Sequence, residues 1–152
     1  MPALEHVFTI EIELGGEAPL DLGDTARGKR RMVHITGGHF SGPVIRGQVL
    51  AGGYDWQLLR SDGVTEIDAR YLLRTEGGSL ITIVNTGTRF GPPEVMHRLQ
   101  QGERVEASAY YFRTHPRFEC ADPVFDWLNR YVFVGSGTRL PDRVIMEIWK
   151  VN

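Results

Sequence analysis

Residues 53–75 read GYDWQLLRSDGVTEIDARYLLRT, two β-rich runs flanking Ser61, Asp62, Gly63 and Val64. Asp-Gly between alternating segments is the favoured two-residue hairpin turn, since these residues tolerate the positive φ that its central positions require. With Asp62 and Gly63 as the loop, Leu58 faces Ile67, Gln57 faces Asp68, Trp56 faces Ala69 and Asp55 faces Arg70. Opposed residues share a sheet face. The register therefore predicts one face of Trp56, Leu58, Ile67, Ala69, Tyr71 and Leu73, and another of Asp55, Gln57, Asp68, Arg70 and Arg74. A three-residue loop would shift this pairing and separate Asp55 from Arg70.

Outward from the hairpin the same texture continues. Phe8, Ile10, Ile12 and Leu14 alternate with Thr9, Glu11 and Glu13, the pattern of a half-buried strand, and Gly15 and Gly16 end it. Residues 17–29, polar and containing Pro19, Gly23 and Gly28, read as a long loop over a surface or a pocket mouth. Strands are expected over 30–36 and 44–50, with glycine and proline between them. Downstream, Glu76, Gly77 and Gly78 turn the chain into a strand over 80–86. Pro92, Pro93 and Glu94 open a short helix that points Val95, Met96 and Leu99 inward and ends near Gly102. An aromatic-rich strand over 104–114 is stopped by Pro116, and Asp122 with Pro123 starts a helical turn through Trp127 and Leu128. Two last strands fall over 131–135 and 143–151. Turn signals at this spacing favour an antiparallel barrel or sandwich over βαβ units. The pattern sets one all-β domain over residues 1–152, of about nine or ten strands with one or two short helices, an up-and-down β-barrel or a sandwich.

Composition narrows the function classes. A formal charge of −2 and a pI near 6.2 give no basic field for nucleic acid or anionic lipid. No apolar run reaches the length of about 18 residues that a membrane helix needs, and acidic residues interrupt the first apolar stretch, so the reading is cytoplasmic, with no membrane partner. One cysteine, Cys120, excludes an internal disulfide and a cysteine-based zinc cluster. The five histidines, His6, His34, His39, His97 and His115, lack ligand spacing, and no metal is expected. Nucleotide-binding and hydrolase signatures are absent, and Gly135, Ser136 and Gly137 read as a turn. No cofactor is implied.

Charged and aromatic residues nonetheless crowd strand-like segments, where β propensity would not place them. These are Asp55 beside Trp56, Asp68 and Arg70 beside Tyr71, Tyr111 with Arg113, and Phe118 with Glu119. A solvated outer face with an aromatic core explains them; so does a barrel interior where arginines partner carboxylates and aromatic walls hold a flat ligand. A resemblance favours the second. Residues 36–75, TGGHFSGPVIRGQVLAGGYDWQLLRSDGVTEIDARYLLRT, with the later YYFRTHPRFE and WLNRYVFVGSG, resemble domain-of-unknown-function family 3237, also called uncharacterised protein family 0311. The resemblance implies an antiparallel β-barrel, often oligomeric, with some members tied to cofactor-free ring closure in natural-product biosynthesis. Its motif positions fall on Asp55 and Trp56, on Asp68 to Tyr71, on Tyr111 to Arg113, on Phe118 and Glu119, and on Trp127 to Asn129. Tyr54 stands where a small residue is common, and Cys120 where a hydroxyl residue is usual.

The resulting expectation is a cofactor-independent lyase, isomerase or cyclase that uses acid-base chemistry on a small aromatic or polyketide-like molecule. Asp55 is the expected base, its pKa balanced between burial and Arg70. Arg70 and Arg113 would hold an enolate, phenolate or carboxylate, and Tyr111 would relay a proton. Trp56, Phe118 and Trp127 would form the walls, with Asp68, Glu119 and Asn129 as polar contacts. The alternative is a carrier or sensor barrel that binds a small molecule without changing it. A structural subunit of a homo-oligomer is the third reading.

Overall fold

The computed structural model describes residues 1–16 and 18–152. Eleven strands form: β1 (Leu4–Glu13), β2 (Leu20–Thr25), β3 (Gly28–Ile35), β4 (Gly37–Ser41), β5 (Arg46–Val49), β6 (Gly53–Leu59), β7 (Thr65–Thr75), β8 (Leu80–Phe90), β9 (Tyr111–Cys120), β10 (Val132–Arg139) and β11 (Arg143–Val151). Two short helices, α1 (Pro93–Gln100) and α2 (Trp127–Arg130), interrupt the series. β3 runs into β4, and β5 into β6, as two long bent strands that pair with each other. From there β7 to β11 follow in chain order, β11 pairs with β1, and β1 closes on β4. The result is a closed antiparallel up-and-down barrel of eight staves, with β2 added outside on β3.

The wall alternates as period-2 geometry requires. β9 buries every second residue from Phe112 to Cys120, and β7 buries Thr65, Ile67, Ala69, Tyr71, Leu73 and Thr75. Phe8, Phe40, Phe118 and Phe133 meet edge-on inside one half of the barrel, with centroids 5.1–5.9 Å apart, and Trp127 of α2 packs on Phe133. Leu73, Ile81, Ile148 and Leu128 complete this apolar floor. Over the other half, Met96 and Leu99 of α1 are buried against the barrel mouth. No described helix is long and apolar enough to cross a membrane.

The 61–64 turn is where sequence and structure part. Arg60 N–H donates to Val64 O and Gly63 N–H to Arg60 O, so the loop is Ser61, Asp62 and Gly63. A two-residue type I′ turn needs positive φ at both central residues, and here only Gly63 adopts it, at 89°. One residue more in the loop moves β6 by one step: Asp55 pairs with Ala69, and Tyr54 with Arg70. The predicted pairing of Asp55 with Arg70 is thereby overturned, and the two lie on opposite faces. Trp56 and Leu58 no longer share a face with Ile67, Ala69 and Tyr71; Asp55 and Gln57 take that face, which is the inside of the barrel.

Other boundaries shift for local reasons. Much of the loop expected over 17–29 is a hairpin of β2 and β3; residue 17 lies outside the described residues. Gly37 and Gly38, expected as a turn, lie in β4, where a Cβ on Gly38 would come within 1.9 Å of Glu11 O. The chain crosses β1 too closely there for any side chain. Pro116 does not stop a strand but sits inside β9, which pairs with β10 only at Arg113 and Thr114, and an open edge tolerates the missing N–H. Gly135 to Gly137 form no turn either. They lie in β10, and Gly137 leaves room for the Phe112 ring, whose carbons would be 2.7 Å from an added Cβ. Gly137→Val should therefore cost about 1–3 kcal/mol through overpacking. Urea unfolding checks it; an unchanged midpoint would mean that the Phe112 ring moves aside freely.

Candidate functional site

Between the apolar floor and α1 lies a cavity of about 300 Å³. The apolar part of its wall comes from Ile12, Val33, Ile35, Ile67 and Val144, with the Phe112 ring and the Met96 and Met146 thioethers. Into it reach Arg31 from β3, Asp55 and Gln57 from β6, Tyr71 from β7, Asn85 and Arg89 from β8, and Arg139 from the end of β10. The inward parity of each strand carries them. Arg31 is in step with Val33 and Ile35, and Asn85 and Arg89 with Ile81 and Ile83, so polar side chains occupy positions that elsewhere on the same strand hold core hydrophobes.

Asp55 is held from two sides. Its Oδ1 accepts the backbone N–H of Asp68 at 2.9 Å, and its Oδ2 accepts from the Gln57 side-chain amide at 2.8 Å. Gln57 Oε1 in turn accepts from Arg31 Nε at 2.8 Å, which fixes the orientation of the amide. The β6–β7 ladder is interrupted between the Asp55–Ala69 and Leu58–Glu66 pairs, and in that gap the carboxylate takes the Asp68 N–H. Asp55 is only 9% exposed, and desolvation raises its carboxyl pKa above the ordinary range. The Gln57 and Asp68 hydrogen bonds and the charge of Arg89 oppose that rise without cancelling it.

Around Asp55 stand three guanidiniums. Arg89, 5% exposed, lies over the Phe112 ring at 5.2 Å, and burial with the nearby charges of Arg139 and Arg31 pushes its pKa down to about 10 in spite of Asp55. It remains a cation at neutral pH. Burial lowers Arg31 and Arg139 as well. Arg139 is anchored through its backbone N–H to the Tyr110 hydroxyl at 2.8 Å and through its guanidinium to the main-chain oxygen of Leu140. Three buried polar atoms of the cavity residues have no protein partner: Tyr71 Oη, Asn85 Oδ1 and Arg89 Nε. Burial lifts the Tyr71 hydroxyl well above the usual phenolic range, so it stays protonated and can donate.

Of the residues assigned a site role from sequence, Asp55 alone lines this cavity; Tyr71 and Phe112, named there as motif positions, line it as well. Arg70 is exposed on the outer face, 3.3 Å from the Asp68 carboxylate. Tyr111 and Arg113 are outside too, Tyr111 stacked on Phe90 and Arg113 over its ring. Trp56 packs edge-on against Tyr54, outside. Glu119 is exposed, and Phe118 and Trp127 belong to the apolar floor. Asn129 is a clamp: its Oδ1 accepts Cys120 N–H and its Nδ2 donates to Cys120 O, both at 2.9 Å, tying α2 to β9. Asp68 contributes its backbone, not its side chain. Arg31, Asn85, Arg89 and Arg139 escaped the sequence reading, and Gln57 and Tyr71 were named there without a site role; the signal that marks them is a polar residue at core parity on successive strands. Among the described residues no group of three or more His, Cys, Asp or Glu side chains converges as metal ligands.

Residues 2–151 match the family model described as Protein of unknown function (DUF3237). The chain belongs to this family. A UPF0311 protein of Rhodopseudomonas palustris is 41% identical over 152 residues, covering 99% of this chain and 98% of its own. One from Clostridium acetobutylicum is 39% identical over 149 residues, covering 97% and 93%. The crystal structure of a Rhodopseudomonas palustris protein of unknown function superposes with a TM-score of 0.96 at 39% identity, covering 100% of this chain and 99% of that one. A β-barrel-like protein of Acinetobacter baumannii gives 0.87 at 38% identity, with 100% and 97% covered. A protein described as an enzyme from Penicillium herquei gives 0.74 at 20% identity, covering 99% and 95%, a likeness of fold alone.

The raised pKa of Asp55 fixes a sign for stability. A carboxyl whose pKa is higher folded than unfolded binds more protons in the native state, so its contribution falls as pH rises from its ordinary value, 3.8, through the folded one. Asp55→Asn should thus gain stability relative to wild type progressively from about pH 4 upward, levelling off above the folded pKa. Urea unfolding at a series of pH values checks it, and a difference independent of pH would show the carboxyl to be unperturbed.

Proposed function

We propose that this protein is a cofactor-independent enzyme that moves a proton within a small organic molecule held in the barrel, as an isomerase, lyase or cyclase. What supports the reading is one arrangement: a buried, oriented carboxylate of raised pKa facing a cavity with three arginines and an unpartnered tyrosine hydroxyl. A carboxylate of raised pKa is a stronger base than one in water, and two fixed hydrogen bonds aim it. Asp55 takes a proton from an acidic C–H or O–H of the bound molecule and becomes a neutral carboxylic acid. The electron pair left behind forms an enolate or phenolate oxygen, placed beside guanidinium charge and within the reach of donors such as Tyr71.

Two completions balance. Asp55 returns the proton at another carbon, giving an isomer, or the new oxyanion attacks an electrophilic carbon of the same molecule, closing a ring while Asp55 protonates the site where charge accumulates. Neither needs an oxidant or a metal.

Deuterium uptake from D₂O into a panel of phenolic and 1,3-dicarbonyl compounds, followed by proton NMR, tests the reading. Asp55→Asn should lower the exchange catalysed by the wild type by about two to four orders of magnitude, the usual range for loss of a general base. Arg70→Met and Tyr111→Phe, on the outer face, should leave it within about twofold. Full exchange in Asp55→Asn would remove Asp55 as the base. Binding of panel members without exchange by any form of the protein would put a carrier or sensor ahead.

A further inference from the structure

We infer that the molecule bound in the barrel is itself an organic acid, with an apolar body and a permanently ionised group that sits against Arg89, Arg31 and Arg139. The inference rests on the proton-transfer reading for the place of Asp55 but not for the charge of the ligand.

The charge of the site carries it. Among the described residues three guanidiniums reach the cavity, and one carboxylate, Asp55, lines it. The other carboxylates that influence them are on the rim: Asp21 toward Arg31 and Asp142 toward Arg139, both exposed to solvent, with Asp21 also 3.6 Å from Lys29. Asp68 reaches Asp55 through its backbone and stands on the outer face. Arg89, the deepest-buried of the three, has no ion pair within 4.0 Å among the described residues. Its Nε has no hydrogen-bond partner, although buried guanidiniums are ordinarily bonded to a carboxylate or an equivalent acceptor.

Proton transfer does not correct this imbalance. When Asp55 takes a proton from a neutral substrate, one negative charge disappears from the protein and one appears on the ligand, so the cavity keeps the same excess of positive charge. Only a ligand that arrives as an anion lowers it. A single enolate is served by one or two donors, and the site holds three cations with fork geometry suited to carboxylate oxygens. Their fixed positions differ in function. Arg31 spends its Nε on Gln57, and Arg139 spends part of its guanidinium on main-chain oxygens, whereas Arg89 lines the cavity with no ion pair among the described residues and with a buried Nε that has no protein partner. Arg89 is therefore the anchor, and Arg31 and Arg139 flank it. The apolar part of the wall, Ile12, Val33, Ile35, Ile67, Val144 and Phe112, takes the apolar body.

Salicylate and salicylamide, nearly equal in size and differing in charge, test this by isothermal titration calorimetry and thermal shift at pH 7. The wild-type protein should bind salicylate at least about tenfold tighter than salicylamide and be protected by it against heat. Arg89→Met should abolish the preference and Arg89→Lys should recover part of it, since lysine restores charge without the fork. Should Arg89→Met fail to fold, Arg31→Met and Arg139→Met, each expected to shrink the preference, take its place, and the wild-type comparison stands without any variant. Asp55→Asn should keep the preference or increase it, because it removes the carboxylate that lines the cavity among the described residues. Equal binding of the two probes, or of neither at millimolar concentration, overturns the acid ligand and leaves proton transfer on a neutral substrate standing. Inorganic phosphate protecting as well as salicylate would also overturn it, as an unspecific anion site. A salicylate preference without deuterium exchange on any substrate keeps the acid ligand and discards the proton transfer.

Discussion

The pairing of Asp55 with Ala69 sets the chemistry of the barrel interior. Side chains of a strand alternate between faces, so a one-residue change in the turn at 61–63 exchanges everything that β6 presents to the two sides. With Gly63 alone at positive φ the turn takes three residues, and β6 directs a carboxylate and an amide inward and an indole outward. The carboxylate then takes the Asp68 N–H in the gap of the ladder. Gln57 follows two residues later and is itself oriented by Arg31 from the neighbouring strand. A polar group without partners would be costly in such a place, and the chain of bonds from Arg31 through Gln57 to Asp55 offsets part of that cost.

The barrel divides its interior along its axis. One half is filled by aromatic and aliphatic side chains that meet at van der Waals distance, plugged from outside by α2 through Trp127 and Leu128. The other half is left open, because the residues at the same inward parity are Asp55, Gln57, Asn85 and Arg89 rather than Ile and Phe. The filled half supplies the hydrophobic burial that holds the staves together, and this allows the other half to keep unpaired donors and acceptors. Such groups are destabilising by themselves, and their concentration around one cavity favours a binding role over a structural one.

Several residues that carry the family motif prove to be architectural. Asn129 ties α2 to the end of β9, Phe118 and Trp127 build the floor, and Arg70 with Asp68 forms an exposed ion pair of the kind that contributes little to stability. A motif records every position with a constraint on it, packing and hydrogen bonding included.

The sequence by itself determined the class: strict alternation in residues 8–14, turn residues at short intervals, and proline and glycine bounds for α1 prescribe an antiparallel all-β domain with short helices, because those patterns are local, and the family motifs single out the barrel over the sandwich. It also marked Asp55, a charged residue in a segment that otherwise favours strand. What only the tertiary structure decided was which side of the wall each polar residue faces and which of them meet. The parity of β6 depends on one backbone dihedral in a turn, and Asp-Gly is compatible with loops of two or three residues. The convergence of Arg31, Asp55, Arg89 and Arg139 joins four strands that are distant in sequence, and no local pattern specifies it; barrel closure alone brings their charges into one cavity.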